Sequence, residues 1–583
     1  NTPGYARQRV NFVQTEPYPP ASMNRPQIPG QMGTGVEAGS IQRVRESFLD
    51  IQFRGENNKY GYWDTRADSL QKMEEIMNEP SDTGLSKTLD RFWQAFQDLA
   101  VNPTNAGARS VVRQRGIALA ETFNYLSTSI SAVQQDLKNE MDVSVKQINS
   151  ITQQVANLNK QISQQEVHGY LPNDLYDERD RLIDELSGLV NIKVTKQSSG
   201  GNSLAIAEGK YQVDIVDEAG RKLGTLVDPS KDKANEFSIG FDSGTGLVNE
   251  FKVGDSSLDI RSFQSMGKVR GLVESYGYME GSQMKGIYPD MLQHLDTLAY
   301  DFAMEINRVH ESGWSITSMN DGEHTAFQFF DFTNSLISSD NKLGAAKSLV
   351  VHQDIRHSLD NIAASGYNQG VVVTGSFQGY GGTNALSIGI ESTVDENGTT
   401  QYFYKLYNME VSPKQEMKSS NGFTSLEDLA TELQAEFDGT LILNMDRVLT
   451  HDVENGKSIT IEFSQTGSVN GRLGDGSTAV ALAEVKNRPL PINGVSTTFQ
   501  DYYESVIGGM AVDAQEANRL TYNSETLRLS VDQRRQSVSG VSLDEEMTNM
   551  IQFQHAYNAS ARMITLTDEL LNTIINGMGL GGR

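Results

Sequence analysis

The chain has 583 residues, no cysteine and a net charge of −26, with an isoelectric point near 4.8. That length exceeds what one hydrophobic core supports and predicts about three or four domains. The acidity argues against a nucleic-acid binder, which needs a basic face for phosphates, and the lack of cysteine excludes disulfides, thiolate metal sites and cysteine nucleophiles.

No apolar run approaches the ~18 residues of a membrane span, so no membrane insertion is expected. The opening NTPGYARQRV has neither an initiating methionine nor the apolar stretch of a secretory signal, which suggests a processed or trimmed chain with a missing amino-terminal segment. Residues 1–55 read as a polar, Pro-rich arm, with little fixed structure expected up to about Gly30. A helical domain follows over 56–191. Leu70, Met73, Ile76 and Met77 share a face before the turn NEPSDTG, where Ser81 or Asp82 could cap the next helix. That helix carries Leu85, Leu89, Phe92, Trp93, Phe96 and Leu99 and stops at AVNPTNAG. From Leu119 to Ile162 an apolar stripe runs on unbroken, with a stutter at Val133, Leu137 and Met141, where a coiled coil locally unwinds. At 1.5 Å per residue it predicts a helix roughly 65 Å long, a strut rather than an element of a compact enzyme.

A small β domain is expected over 192–264, with IKVTKQ, SLAIAEG, YQVDIVD, FSIGFD and FKVGD as antiparallel strands. A helical return segment over 265–316 leads to a connecting α/β segment over 317–366. Residues 367–473 read as a second, larger β region with one short helix at SLEDLATELQAEF. The chain then returns to helix over 474–540, through Phe499, Tyr502, Val506, Met510, Ala514 and Ala517, and closes with a last helix over 541–583. Stepping by threes and fours from Leu543 along that helix meets Met547, Met550, Gln554, Tyr557, Ala561, Ile564, Asp568, Leu571, Ile575 and Met578. Only Gln554 and Asp568 are polar. That spacing is a coiled-coil seam, which wants another helix beside it. The fold class expected is α+β multidomain: a long helical coiled-coil or bundle rod formed by both chain ends, with inserted antiparallel β domains.

No catalytic constellation emerges. The eight histidines show no H-E-x-x-H pattern, and surface or internally satisfied histidines are the better reading, so no metal or cofactor is assigned. GSFQGYGGTN lies between strand-like runs and reads as a Gly-rich hairpin rather than a phosphate cradle. The acids of NDLYDERDRLIDEL read as a solvated helix face opposite Leu175, Leu182, Ile183, Leu186 and Leu189. Asn397 and Asn558 begin N-x-Ser/Thr sequons of a kind common by chance. No G-x-S-x-G or S-x-x-K occurs in a suitable context, so the chain is not expected to be an enzyme.

The two ends carry a resemblance. NTPGYARQ and EEMTNMIQFQHAYNASARMI resemble the terminal signatures of flagellar rod, hook and hook-associated axial proteins. RRQSVSGVSLDEE, NEPSDTGLSKTLDRFWQAFQDLAVNPTN, LPNDLYDERDRLIDELSGLV and GDGSTAVALAEVKN narrow it to the hook-associated protein 1 (FlgK) family of hook–filament junction proteins. The similarity spans nearly the whole chain except about Tyr367 to Arg472, a family-variable insertion. The resemblance implies a further apolar helix before the NTPGY motif, lying with the last helix in an inner tube. It implies self-association into a ring, hook protein and hook-associated protein 3 as neighbours, and an export chaperone on the last helix. It also implies type III export without a cleaved signal, to an extracellular place on the flagellum. The assembly residues expected are Asn1, Thr2, Pro3, Gly4 and Tyr5 from the signature, with Leu543, Met547, Met550, Ile551, Tyr557, Ile564, Leu571 and Ile575 from the seam. Two other readings are another axial protein, either a hook protein or a filament subunit, and a surface hydrolase carried by the β insertion.

Overall fold

A computed structural model describes residues 4–16, 34–366 apart from 80, 82, 83 and 262, separate stretches between 371 and 464, and 471–577 apart from 472. The chain opens with a hairpin of β1 (Gln8–Gln14) and β2 (Val36–Arg43). Four helices follow: α1 (Ser47–Met77), α2 (Leu85–Val101), α3 (Ala106–Glu166) and α4 (Asn173–Leu189). Next come β3 (Ile192–Gln197), β4 (Lys210–Val216), β5 (Lys222–Asp228), β6 (Lys233–Ala234), β7 (Phe237–Phe241), β8 (Val248–Val253) and β9 (Ser256–Asp259). They form two sheets, antiparallel except for one parallel pairing of β8 with a strand at Tyr278–Glu280. Helices α5 (Lys268–Tyr276) and α6 (Ile287–Glu311) precede a run of short elements. Strands of 371–464 follow, then α7 (Ser477–Glu484), α8 (Phe499–Ser539) and α9 (Leu543–Asn572). The chain is thus α+β and multidomain, with its long helices towards both ends.

By contact density it divides into two compact units: 1–71 with 134–287 and 513–583, and 72–133 with 288–512. One division falls between Val133 and Gln134 inside α3, at the stutter. α3 starts well before Leu119 and has 61 residues, about 90 Å at 1.5 Å each.

In the first unit, Leu137, Met141, Ile148, Ile151, Val155 and Ile162 of α3 are buried with Leu182, Ile183 and Leu186 of α4. Gly61 of α1 lies where a side chain would strike the Gly188 carbonyl, its Cβ 2.2 Å from that oxygen, so glycine allows this crossing with α4. Two asparagines on α3 address the sheets. The Asn149 amide donates to the Phe237 carbonyl and accepts from its N–H, each at 2.8 Å. Asn159 does the same for Tyr211, at 2.8 and 3.0 Å. Each amide satisfies a strand-edge donor and acceptor that burial would otherwise strand.

The second unit is built on aromatic rings. Phe92 of α2 packs edge-on against Phe96, Phe302 and Phe329, with centroids 5.1–5.7 Å apart, and Phe499 meets Phe302 at 5.6 Å. Asn307 repeats the clamp, donating to the Phe330 carbonyl and accepting from the N–H groups of Phe329 and Phe330. His310 is fully satisfied: Nδ1 lies 2.6 Å from the Phe327 carbonyl and Nε2 accepts from the Ala363 N–H at 2.8 Å. Burial lowers its pKa to about 4.

Several local expectations are corrected. SLAIAEG is not a strand, and Leu204 and Ile206 are exposed there; the strands missed are β5, KLGTLVD, and the shorter β6 and β9. Ser81 is not the N-cap of α2, and Asp82 lies outside the described residues. The N-cap is Gly84, and the Glu79 carboxylate accepts from the Ser86 N–H instead. The arm carries a hairpin, and α1 starts inside it at Ser47. The strands flanking GSFQGYGGTN, Val371–Phe377 and Ala385–Val394, pair with other strands and not as one hairpin; residues 378–384 between them and most of SLEDLATELQAEF lie outside the described residues. The acids of α4 are not all solvated: Asp177 and Asp180 are buried, as is Arg179 between them. Hydrophobic spacing could not show this, because it assigns charge to water unless a partner is known.

Candidate assembly interface

Helix α9 begins with Ser542, whose hydroxyl accepts from the Glu545 N–H at 3.4 Å, and the acidic residues Asp544, Glu545 and Glu546 occupy its first turn. Both features favour a helix start. Beyond it, no residue of α9 is buried. Leu543 is 78% exposed, Tyr557 76%, and Ile564 and Ile575 71% each; Met547, Met550, Ile551 and Leu571 are likewise open. Phe553, Met563, Leu566, Leu570 and Ile574, absent from the expected seam, are exposed too, so the apolar surface is wider than a two-residue heptad stripe. An uncovered apolar face of this extent marks an interaction surface.

The opening signature sits at the base of this helix. Asn1, Thr2 and Pro3 lie outside the described residues. Gly4 has φ of +82°, a turn that a side chain would strain. Tyr5 is half exposed and lines an 830 Å³ groove with Arg45, Arg181, Asp532, Ser539 and Val541. Ala6 is buried and donates its N–H to Asp177 Oδ2 at 3.3 Å. The hairpin that follows has two faces: Val10, Phe12, Val36 and Ile41 on one, exposed, and Arg9, Asn11, Ser40 and Gln42, hydrogen-bonded to one another, on the other. Phe12 meets Phe553 of α9 edge-on, with centroids 6.5 Å apart.

Beneath lies a buried ionic hub that sequence reasoning missed. Arg43 of β2 pairs with Asp177 at 2.5 Å and Asp180 at 3.0 Å. Arg45 reaches Asp180 at 2.9 Å and Asp50 at 2.6 Å. Arg54 of α1 reaches Asp184 at 2.8 Å, and Arg535 of α8 pairs with the same carboxylate while stacking over Phe53. Burial by itself would raise the Asp180 carboxyl, but Arg45, Arg43, Arg54 and Arg179 outweigh it and hold the group far below the usual carboxylate range. For Asp177 burial wins over Arg43 and lifts it. The hub joins hairpin, α1, α4 and α8. Its trace in the sequence was the acidic run DLYDERDRLIDE beside arginines scattered over QRVRESFLDIQFR and DQRRQ.

These residues can hold partners but show no catalytic arrangement; among the described residues no cluster of His, Asp and Glu could hold a metal ion, and no helix is long and apolar enough to cross a membrane.

Comparison with known proteins bears directly on this surface. Residues 70–330 match the family model of the flagellar hook-associated protein FlgK helical domain, and residues 532–577, which span α9, match that of the flagellar basal body rod FlgEFG protein C-terminal region. The chain is 39% identical to flagellar hook-associated protein 1 of Bacillus subtilis over 584 residues, covering 100% of this chain and 94% of that one. It is 23% identical to the proteins of the same name from Salmonella typhimurium and Escherichia coli, over 99% of this chain and 94% of each. The solved flagellar hook junction protein FlgK of Burkholderia pseudomallei shares the fold, with a TM-score of 0.55 at 14% identity, over 85% of this chain and 100% of that one. Full-length identity at this level, joined to an exposed axial-type helix, makes the chain a member of the flagellar hook-associated protein 1 (FlgK) family, structural components of the bacterial flagellum.

Proposed function

We propose that this chain is a subunit of the junction between hook and filament, and that α9 is its principal assembly face. The observation that carries this reading is that α9 buries none of its apolar residues. Leu543, Met547, Met550, Ile551, Tyr557, Ile564, Leu571 and Ile575 supply the contact, and the signature at Gly4 and Tyr5 supplies the base from which the helix emerges. Each such side chain contributes roughly 1.5–3 kcal/mol when fully buried, and a closed ring repeats that contribution in every subunit. Hook protein and hook-associated protein 3 are the neighbours, and a chaperone covers α9 until the chain leaves the cell by flagellar export without a cleaved signal. The role is architectural, with no chemistry performed.

Ile564→Asp with Leu571→Asp tests it. Both side chains are open in the single chain, so the double variant should keep its circular dichroism spectrum and still be exported, yet fail to join hooks. Cells should then shed filament protein into the medium and swim poorly. Normal filaments on cells carrying this variant would refute α9 as the assembly face.

A further inference from the structure

The signature at the start of the chain and the last helix meet at one residue. Arg7 donates its backbone N–H to the Ser539 carbonyl at 2.8 Å, at the end of α8. Its guanidinium Nη1 donates to Glu545 Oε2 at 2.8 Å, in the first turn of α9. Arg7 therefore holds both sides of the break at 540–542 between the two helices. Two turns further along α9, Phe553 meets Phe12 of the same hairpin.

Arg7 is itself anchored. Its carbonyl accepts from the Val44 N–H at 2.8 Å, which closes the base of the hairpin. The preceding residue, Ala6, is tied to Asp177, whose other oxygen takes Arg43 of the hub. Because α9 buries no residue, packing contributes little to its direction beyond the exposed Phe12–Phe553 edge contact. The short break 540–542 leaves several backbone dihedrals free to turn it.

We propose that Arg7 is a positioning residue, a bracket that sets the angle between α8 and α9 and so aims the exposed apolar surface. Its importance for assembly rests on the function proposed above; its hold on the angle does not. An ion pair as exposed as this one is worth up to about a fivefold shift between two orientations, and the backbone bond adds to it.

The chain has no cysteine, so Asn523→Cys on α8 and Ser560→Cys on α9, both exposed, take spin labels at two points only. Pulsed electron–electron double resonance on the isolated chain should give one narrow distance distribution. Arg7→Ala should broaden it without changing helix content by circular dichroism, and Arg7→Lys should keep it narrow. Arg7→Glu and Glu545→Arg should each broaden it alone and restore it together. A broad distribution in the labelled parent, no broadening in Arg7→Ala, or a charge exchange that restores nothing would overturn the bracket. Should the distances behave as expected while the Ile564→Asp, Leu571→Asp variant still supports filaments, the bracket stands and only the role of α9 in assembly falls.

Discussion

Two regions of this chain solve the same problem, holding several helices together, by opposite chemistry. Around Phe92 the second unit packs aromatic rings edge to face in a buried cluster. Around Asp180 the first unit buries carboxylates among Arg43, Arg45, Arg54 and Arg179. The aromatic cluster gains from every square ångström removed from water and tolerates imperfect fit. A buried ionic hub gains little net energy over an apolar one, but it punishes any missing partner, so it specifies geometry more than it adds stability. That difference suits their places: the hub is where the signature and hairpin must be held in one arrangement at the foot of α9.

The largest effect is expected at the hub. Asp180→Asn leaves three ion-paired arginines short of a charge and should cost about 5 kcal/mol. Chemical denaturation would measure the loss, and hydrogen exchange should locate it in α4, the hairpin and the adjoining part of α1. A loss spread evenly into the second unit would break the contrast.

Phe92→Ala should follow at about 4 kcal/mol, because the ring is fully buried and touches several others. Phe92→Leu should recover most of it, since volume rather than charge is at stake. No substitution at Asp180 by a neutral residue should recover as much.

Acid sharpens the comparison in an unexpected sense. His310 sits against Phe329, with its pKa lowered to about 4 from the ordinary 6.5. Its unfolded form therefore binds the extra proton first, so its contribution is complete above pH 6.5 and is lost as pH falls towards 4, by about 3 kcal/mol. Asp180 is also depressed, but its contribution is complete above about pH 4 and is lost only below that. Asp177, lifted by burial, works against it in part. Between pH 6.5 and 4 the aromatic region should weaken while the ionic one holds, and His310→Gln should flatten that dependence in thermal melts.

The smallest effect marks the control. Arg181 on α4 pairs with Glu178 at the surface, and Arg181→Ala should change stability by less than about 0.5 kcal/mol. A larger loss would mean that exposed pairs beside the hub belong to it.

Which of these regions could be read in advance follows from the same contrast. Leu85, Leu89, Phe92, Trp93, Phe96 and Leu99 announce their burial by spacing alone, and all of them are buried. The stripe of α9 was legible for the same reason, and its exposure is what makes it informative. Asp177, Arg179 and Asp180 carry no such mark, because a charge looks the same in sequence whether it faces water or four arginines. The hairpin was hidden by a long connection: Gln8 pairs with Arg43, and no short turn links β1 to β2. SLAIAEG alternates like a strand yet lacks a neighbour to pair with, so its pattern went unused. Arg7 could not be singled out, since its partners Ser539 and Glu545 lie at the far end of the chain.

The asparagines of α3 bear on which changes in length the chain can tolerate. Asn149 and Asn159 lie ten residues apart on one helix and each grips the edge of a different strand, at Phe237 and Tyr211. Adding or deleting one residue between them would rotate one amide about 100° away from its strand relative to the other. The spacing of these ten helical residues is fixed by both strands at once. Over this stretch α3 serves as a ruler, and insertions and deletions tolerated elsewhere in the unit should be rejected there.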